Sequence, residues 1–514
     1  MTAQAPGAAA GGQHRVLVTL AVMLATTVQA LDTTIANVAL PHMQGTMGAT
    51  QDQISWVLTF YIVATAICMP LTGYLSDRFG RKRLFMASVA GFTALSMLCG
   101  AAQSLDQIVL FRLLQGAFGA SLVPLSQSVL LDAWPKERHA AAMAVWGVGV
   151  MIGPILGPSL GGWLTEFYNW RWVFYINLPL GILAWAGIGA FVRETPLNRA
   201  RRFDLTGFAL LGVAIGALQL MLDRGHSLDW FASREIQIEA FLAVMGLYLF
   251  VVHIYTHDAP FLEPGLFKDR NFALGLLLIF MMGVILLASM ALLPPFLQGL
   301  MGYPVFDVGV VMAPRGVGTM MTMMLVGRIG RRLDGRLMIS TGLLITGFSL
   351  WQMSGFNTQI TGWDVVRTGF VQGLGLGLVF VPLSTLSFFS LAPRYRNEGT
   401  SLFSLLRNIG SSIGISVVIT YLSNRLQINH AAFSGFIEPF NLALRMGVES
   451  GSLDLGSPLG LSLIDGEVTR QAATLAYLQD FRLMMWVAWV AAPLPFLMRP
   501  VRKPPTDAPA VALE

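Results

Sequence analysis

The sequence predicts an all-α integral membrane fold of fourteen helices, built as two six-helix bundles with two extra transmembrane helices between them. Three observations carry that prediction. Of the 514 residues, 54% are hydrophobic and only 12% are charged, against roughly 25% charged in soluble domains, so most of the apolar surface needs lipid. Apolar runs long enough to cross a bilayer recur from one end of the chain to the other. One segment also returns: Pro124-Leu125-Ser126, Pro135 and Arg138 reappear with unchanged spacing as Pro382-Leu383-Ser384, Pro393 and Arg396. Gln115-Gly116 recurs as Gln372-Gly373, one residue out of register. Two related halves explain both repeats.

A window of about 19 residues places the elements in order. Six spans near 16–38, 54–75, 84–102, 107–132, 139–163 and 172–192 form the first bundle, residues 15–196. Two more, near 205–222 and 236–256, fill a linker at 197–258. The last six, near 273–299, 306–327, 337–355, 365–391, 399–422 and 482–499, form the second bundle, residues 259–503, with a long outer loop at 423–480. Residues 1–14, rich in Ala, Gly and Gln, read as a disordered tail, and 504–514 as a second tail. The run that begins at Val16 continues through Asp32 with no Ala-x-Ala cleavage site, so it reads as a span and not a removable signal.

A net charge of +5 does not point to nucleic acid, because the basic residues sit between spans. Arg78, Arg81, Lys82, Arg83, Lys136, Arg138, Arg199, Arg201, Arg202, Arg328, Arg331 and Arg396 all fall on one side if both termini share that side, and such loops stay in the cytoplasm. Cys68 and Cys99 lie in apolar runs with no metal-ligand or disulfide spacing. No metal site and no cofactor is expected.

Five segments carry the functional reading. The loop Gly73-Tyr74-Leu75-Ser76-Asp77-Arg78-Phe79-Gly80-Arg81-Lys82-Arg83 combines a glycine for close helix approach, a turn glycine and a topology-setting basic cluster. Asp77 ends its helix and is expected to meet the positive N-terminal end of a helix of the other half near Gly399 and Thr400, closing the inner side. Arg112-Leu113-Leu114-Gln115-Gly116 places a charge inside a span, where it either serves function or snorkels to the headgroups. Gly149, Gly153-Pro154, Gly157-Pro158 and Gly161-Gly162 repeat every four residues and make a flat helix face. The Gly157-Pro158-Ser159-Leu160-Gly161 run matches a hydrolase elbow only in letters, since no strand precedes it. Asp32, in Leu31-Asp32-Thr33-Thr34-Ile35-Ala36-Asn37, is the best proton carrier: it can bind a proton from one side and release it to the other, with Arg112 or a cationic compound opposing protonation. Last, Ala313-Pro314-Arg315-Gly316 puts a second arginine inside a span.

The loop at 73–83 and Arg112–Gly116 resemble motifs of the major facilitator superfamily, and the Gly-Pro helix resembles its antiporter motif. Leu31–Pro41 resembles the marker of the fourteen-helix drug:proton antiporter family. Leu222-Asp223-Arg224-Gly225-His226-Ser227-Leu228-Asp229-Trp230-Phe231 together with Ala313–Gly316 look like the EmrB-type multidrug exporters. The resemblance implies the major facilitator fold, proton-coupled export of amphipathic compounds by alternating access, and residence in the bacterial inner membrane with cytoplasmic termini. It also implies a periplasmic adaptor protein and an outer-membrane channel as partners. One departure is the second-half loop, where Arg331 stands in place of the acid matching Asp77.

Asn37, Phe60, Gln115, Gln372 and Phe388 are candidates to line a substrate cavity. Arg315 and Arg407 are expected there too, either binding an anionic group or pairing with a carboxylate. No Gly-Lys dipeptide occurs, so the phosphate-binding loop of ATP-driven pumps is absent from this chain. An enzyme would need paired catalytic groups or metal-ligand spacing, and neither is found. A narrow-substrate metabolite transporter and a non-transporting sensor are the rival readings.

Overall fold

The computed structural model of the chain describes residues 6–135, 138–195, 197, 203–329, 333–437, 446 and 457–500, with no strand among them. The first half holds α1 (Pro6–Met47), α2 (Gln51–Cys68), α3 (Leu71–Phe79), α4 (Arg81–Ala101), α5 (Leu105–Gly119), α6 (Leu122–Ala133), α7 (His139–Phe167), α8 (Trp172–Tyr175) and α9 (Asn177–Phe191). Between the halves lie α10 (Leu205–Arg224) and α11 (Arg234–Thr256). The second half holds α12 (Arg270–Pro295), α13 (Val305–Ile329), α14 (Gly335–Met353), α15 (Gly362–Phe389), α16 (Arg396–Ser434) and α17 (Pro458–Ala491).

Helix starts follow local chemistry. Thr50 and Gln53 form a reciprocal capping box at α2, and Ser104, Asp204, Asp269 and Ser457 each accept an amide from the first turn of α5, α10, α12 and α17. Between α3 and α4 the chain turns at Gly80, whose φ of 92° favours glycine. The carboxylate of Glu194 then accepts the free amides of Lys82 (3.0 Å) and Arg83 (3.2 Å) at the start of α4.

Among the described residues, twelve helical stretches are long and apolar enough to cross a membrane, and thirteen if the pair α2–α3, bent by 58°, is one span. The remaining predicted span is α14. It packs on α15 and α17, and its buried hydroxyls are satisfied by helix carbonyls, Thr346 on Gly342 and Ser349 on Thr368. Within the first half α1 packs on α7 and α9, and α2 on α5; in the second, α12 packs on α16 and α13 on α15. The pair α7·α13 joins the halves. Helix α10 lies on both α2 and α16 and so straddles the seam.

Two expectations are corrected. The first helix begins at Pro6, so residues 6–14 continue α1 and are not a disordered tail; Ala8-Ala9-Ala10 favours helix. The outer segment 423–480 is helical over much of its length, because α16 runs on to Ser434 and α17 starts at Pro458. At 39 residues α16 is about 58 Å long, far more than a hydrocarbon core of about 30 Å. The two extensions lie side by side: Asn429 Nδ2 donates to the Ala472 carbonyl (3.3 Å) and His430 pairs with Asp465 (3.1 Å). Lys136, Arg199, Arg201, Arg202 and Arg331 lie outside the described residues.

Candidate functional site

Asp32 on α1 and Arg112 on α5 meet in the interior of the first half, 1% and 0% exposed, with Arg112 Nη1 2.6 Å from Asp32 Oδ2. Arg112 and Gln115 sit three residues apart on one helix face. Gln115 Nε2 donates to Asp32 Oδ1 (3.1 Å), Asn177 Nδ2 donates to the same oxygen (2.8 Å), and Arg112 Nη1 also reaches Gln115 Oε1 (2.9 Å). The guanidinium donates from Nε to the Val57 carbonyl (3.2 Å) and lies 4.2 Å from the Tyr61 ring centroid. Arg112 therefore does not snorkel. A buried pair survives only when most of its lone pairs and protons are otherwise satisfied; the neighbours do this for both Asp32 oxygens and for Arg112 Nε and Nη1, while Arg112 Nη2 is buried without a hydrogen-bond partner. Asp32 is thus the common hydrogen-bond acceptor of side chains from α5 and α9.

Asp77 lies where the halves meet. Its Oδ1 accepts Asn397 Nδ2 at 3.1 Å, two to three residues before the expected Gly399 and Thr400. Ser128 donates to the other end of the Asn397 side chain (2.5 Å). Asp132 on α6 pairs with both Arg81 of the loop and Arg396 at the start of α16. Arg78 turns back onto the Tyr74 hydroxyl (2.9 Å), and Lys82 Nζ donates to the Gly189 carbonyl (2.6 Å), so both hold the loop to its own half. Gly73 explains itself: a Cβ there would stand 2.9 Å from Glu398 Cγ and 3.3 Å from its Cα. The halves are thus closed at the end that carries this loop.

Helix α7 is gripped on two faces. A Cβ at Gly149 would strike Met23, and one at Gly153 would come 2.6 Å from the Ala30 carbonyl carbon. Gly157 faces Thr34, and Gly161 meets Ile35 and Val38 at 3.3–3.4 Å. Threonines of α1 stitch the seam, Thr27 donating to the Gly149 carbonyl (2.9 Å) and Thr34 to that of Gly153 (3.1 Å). On the other face Gly147 abuts Met323, and Trp146 stacks on Phe380 of α15, centroids 5.9 Å apart. Gly162 does not share the packed face: nothing lies within 4 Å of its Cβ position. Pro154 is half-buried, and the side chain of Pro158 lies outside the described residues.

A scan against family models matches residues 22–415 to "Major Facilitator Superfamily". The chain belongs to the major facilitator superfamily. Multidrug export protein EmrB of Haemophilus influenzae is 37% identical over 435 residues, 84% of this chain and 85% of that protein. Fatty acid resistance protein FarB of Neisseria gonorrhoeae is 36% identical over 490 residues, 94% of this chain and 96% of that protein. Among solved structures, the human organic anion transporter MFSD10 (TETRAN) superposes with a TM-score of 0.58 at 15% identity, covering 94% of this chain and all of that one, a likeness of fold. The superfamily's members and fold are those of transporters and not of enzymes, and the chain is a multi-pass membrane protein.

In this superfamily member the cavity candidates separate. Gln115 belongs to the Asp32 cluster. Phe388 is 2% exposed and packed between Phe272 and Phe403 near the closed end, so it is core. Phe60 is half-buried beside Trp56, and Asn37 is exposed. Gln372 is fully buried on α15 with neither amide atom bonded. Arg315 is 7% exposed; its Nη2 donates to Ser289 Oγ (2.8 Å) and the Leu286 carbonyl (3.3 Å), while Nη1 is buried without a partner. Arg407 is half-buried, and neither arginine has an ion-pair partner among the described residues.

Three features escaped the sequence reading. Asn177 had no motif to mark it. Asp480, placed in the outer loop, is fully buried in α17 with both carboxyl oxygens unbonded. Asp204, His253 and His257 gather their ligand atoms within 4.8 Å and could hold a metal ion. Asp204 already accepts Gly207 N–H (2.8 Å), Phe261 N–H (2.9 Å) and His253 Nε2–H (2.9 Å). Burial pushes this carboxyl up, but those donors together hold it below its ordinary 3.8. The group is a complete clamp without an ion.

Proposed function

We propose that the chain is a proton-coupled antiporter that exports amphipathic toxic compounds from the cytoplasm by alternating access. The observation that carries the coupling is the Asp32–Arg112 pair, a carboxylate buried with its cation in the first half and joined to α5 and α9 by Gln115 and Asn177. The names of the relatives, multidrug export for one and fatty acid resistance for the other, favour amphipathic cargo of varied headgroup. The basic loops support cytoplasmic termini in a bacterial inner membrane, and in that orientation the Asp77–Asn397 and Asp132–Arg396 contacts lie on the cytoplasmic side.

The periplasmic extensions of α16 and α17 leave Ile428, Phe436, Leu459, Leu461 and Leu463 exposed beyond the length a bilayer covers, which supports docking of an adaptor protein that leads to an outer-membrane channel. One charge moved through 100 mV yields about 2.3 kcal/mol; when one proton exchanges for one monovalent cation that electrical term cancels and the pH gradient alone drives export.

The test is efflux of a lipophilic cationic dye from vesicles with an imposed pH gradient, comparing wild type with Asp32→Asn at matched expression. Efflux by the wild type and its loss in the variant, with dye binding retained, is the expected result. Unchanged efflux in the variant moves the coupling elsewhere, and no dye movement by the wild type favours a narrow-substrate transporter.

A further inference from the structure

The second half encloses an acid whose surroundings are the reverse of those of Asp32. Asp480 on α17 is 0% exposed and neither of its carboxyl oxygens has a hydrogen-bond partner, whereas Asp32 is bonded at both oxygens. Asp480 interrupts the buried stripe Ala472, Ala476, Met484 and Ala488, a four-residue rhythm on one face of a helix that packs on α12, α14 and α16. Ring contacts of its neighbours fix its level. Phe296, just past the end of α12, has its centroid 5.4 Å from Tyr477 and 6.4 Å from Phe481, and Phe356, just past the end of α14, is 6.5 Å from Phe481. The start of α12 belongs to the closed end, because Phe272 meets Gly399 beside Glu398, and Glu398 abuts Gly73. Asp480 therefore sits at the opposite end, away from Glu398, the other buried acid of this half. The elements packed against it bring no matching charge. Along α12 and α14 the only charged residues are Arg270 and Arg336, each in the first turn at the far end. On α16, Arg396 pairs with Asp132 at the closed end, His430 pairs with Asp465, and Arg425 lies over the Tyr421 ring. Arg407 of α16, Tyr477 of α17 and the exposed Arg482 give Asp480 no bond either.

We infer that Asp480 is a second proton-binding site of the carrier, which holds its proton while the end with the 73–83 loop is closed and releases it when α17 repacks in the opposite conformation. The inference rests on the exporter reading and adds a second coupling proton. Burying a carboxylate with neither cation nor donor costs far more than burying the neutral acid, so a dry enclosure of this kind favours the protonated group. Asp32 and Asp480 thus exchange a proton against different things, Asp32 against the Arg112 cation and Asp480 against an apolar packing. In the orientation proposed above, the Asp480 end faces the periplasm, the side from which protons enter. With one proton at each acid, export of one monovalent cation moves a net positive charge inward, and the electrical term that cancels for a single proton is restored.

The experiment uses the purified full chain in vesicles, as wild type, Asp480→Asn and Asp480→Glu. Infrared spectra at neutral pH are expected to show a protonated-carboxyl band that shifts in heavy water in the wild type, disappears in Asp480→Asn and returns, displaced, in Asp480→Glu. Export of a dye with a single positive charge is then driven either by voltage with equal pH on both sides or by a pH gradient without voltage. The wild type and Asp480→Glu are expected to respond to both, and Asp480→Asn to the pH gradient only, which also shows that this variant is folded. Should Asp480→Asn move no dye at all, a voltage response in Asp480→Glu supports the site and its absence there overturns it. Identical carboxyl bands in wild type and Asp480→Asn overturn the inference. So does a voltage response that is retained in Asp480→Asn or missing from the wild type, since the proton at Asp480 then does not travel. A wild type that moves dye under neither gradient sinks the exporter reading and the transport of this proton with it, and the infrared band alone then decides whether Asp480 binds one.

Discussion

Asp32 accepts hydrogen bonds from three side chains on two other helices, so its effect on stability cannot be assigned to one contact. Removing only the cation leaves a buried unpaired carboxylate, at a cost of about 3–5 kcal/mol. Arg112→Gln is therefore expected to lower the unfolding temperature in detergent sharply. The double variant Asp32→Asn, Arg112→Gln removes both charges and should recover much of the loss, with a coupling of about 2 kcal/mol or more between the sites. Strict additivity in the double-mutant cycle would show that the pair is not held as the distances indicate. Asp32 and Arg112 were both legible as charges within apolar runs. Asn177 was not, because an amide at the end of a helix has no sequence signal until the fold brings α9 beside α1.

Among the elements, α7 shows how a motif becomes a surface. Gly149, Gly153, Gly157 and Gly161 keep a four-residue rhythm on one side, and α1 lies against them closely enough for Thr27 and Thr34 to reach their carbonyls. At Gly153 the obstacle is the backbone of Ala30 and Leu31, which cannot swing aside. Gly153→Val is thus expected to cost about 1–3 kcal/mol through overpacking, read as a lower unfolding temperature together with altered proton leak in vesicles. Gly162→Ala meets open space and should be neutral or slightly stabilising, by up to about 1 kcal/mol from helix propensity. If both variants behave alike, the packed face has been misassigned. Nothing in the run of residues separates Gly162 from its neighbour, since only the position of α1 decides which glycine is covered.

The linker helices work at the same scale. Thr59 donates to Asp223 at the end of α10, Gln219 donates to Ser412 (2.8 Å), and Trp230 Nε1 donates to Thr420 (3.1 Å). The Leu222–Phe231 segment, read only as a family marker, therefore ties α2 of one half to α16 of the other. Asp204 anchors the opposite end of α10 to α11 and to Phe261 at the entry of the second half. Because its carboxyl is held below 3.8 in the fold, the stability it contributes is present above 3.8 and is lost as pH falls through the lower folded value. Asp204→Asn should unfold at lower temperature than wild type at neutral pH, and the gap should narrow as pH drops below 3.8. A gap that widens on acidification would contradict the clamp.

For the whole molecule, the closed end is a network in which one acid serves both halves. Asp132 pairs with Arg81 in its own half and Arg396 in the other, and Asn397 links Asp77 to Ser128. Asp132→Ala leaves two arginines without their acid and removes a cross-half ion pair, so the closed population should fall. Spin labels at the exposed positions Arg83 and Arg394 would report this as growth of a longer interlabel distance. An unchanged distance distribution would mean that the helix contacts hold the closure without the ion pairs.

By itself the sequence determined the membrane class, the two halves, the order of the spans and the loop that meets the other half, because hydropathy, repeats and turn glycines are local signals and lipid imposes them directly. Tertiary structure alone decided which polar residues are partners. It joined Asn177 to Asp32, withdrew Asp480 from the outer loop into α17, turned much of 423–480 into helix, packed Phe388 as core, and gave Arg315 and Arg407 no carboxylate partner among the described residues. The physical reason is that burial and charge pairing depend on side chains distant in the chain, whose approach is fixed by helix packing and not by any run of neighbouring residues.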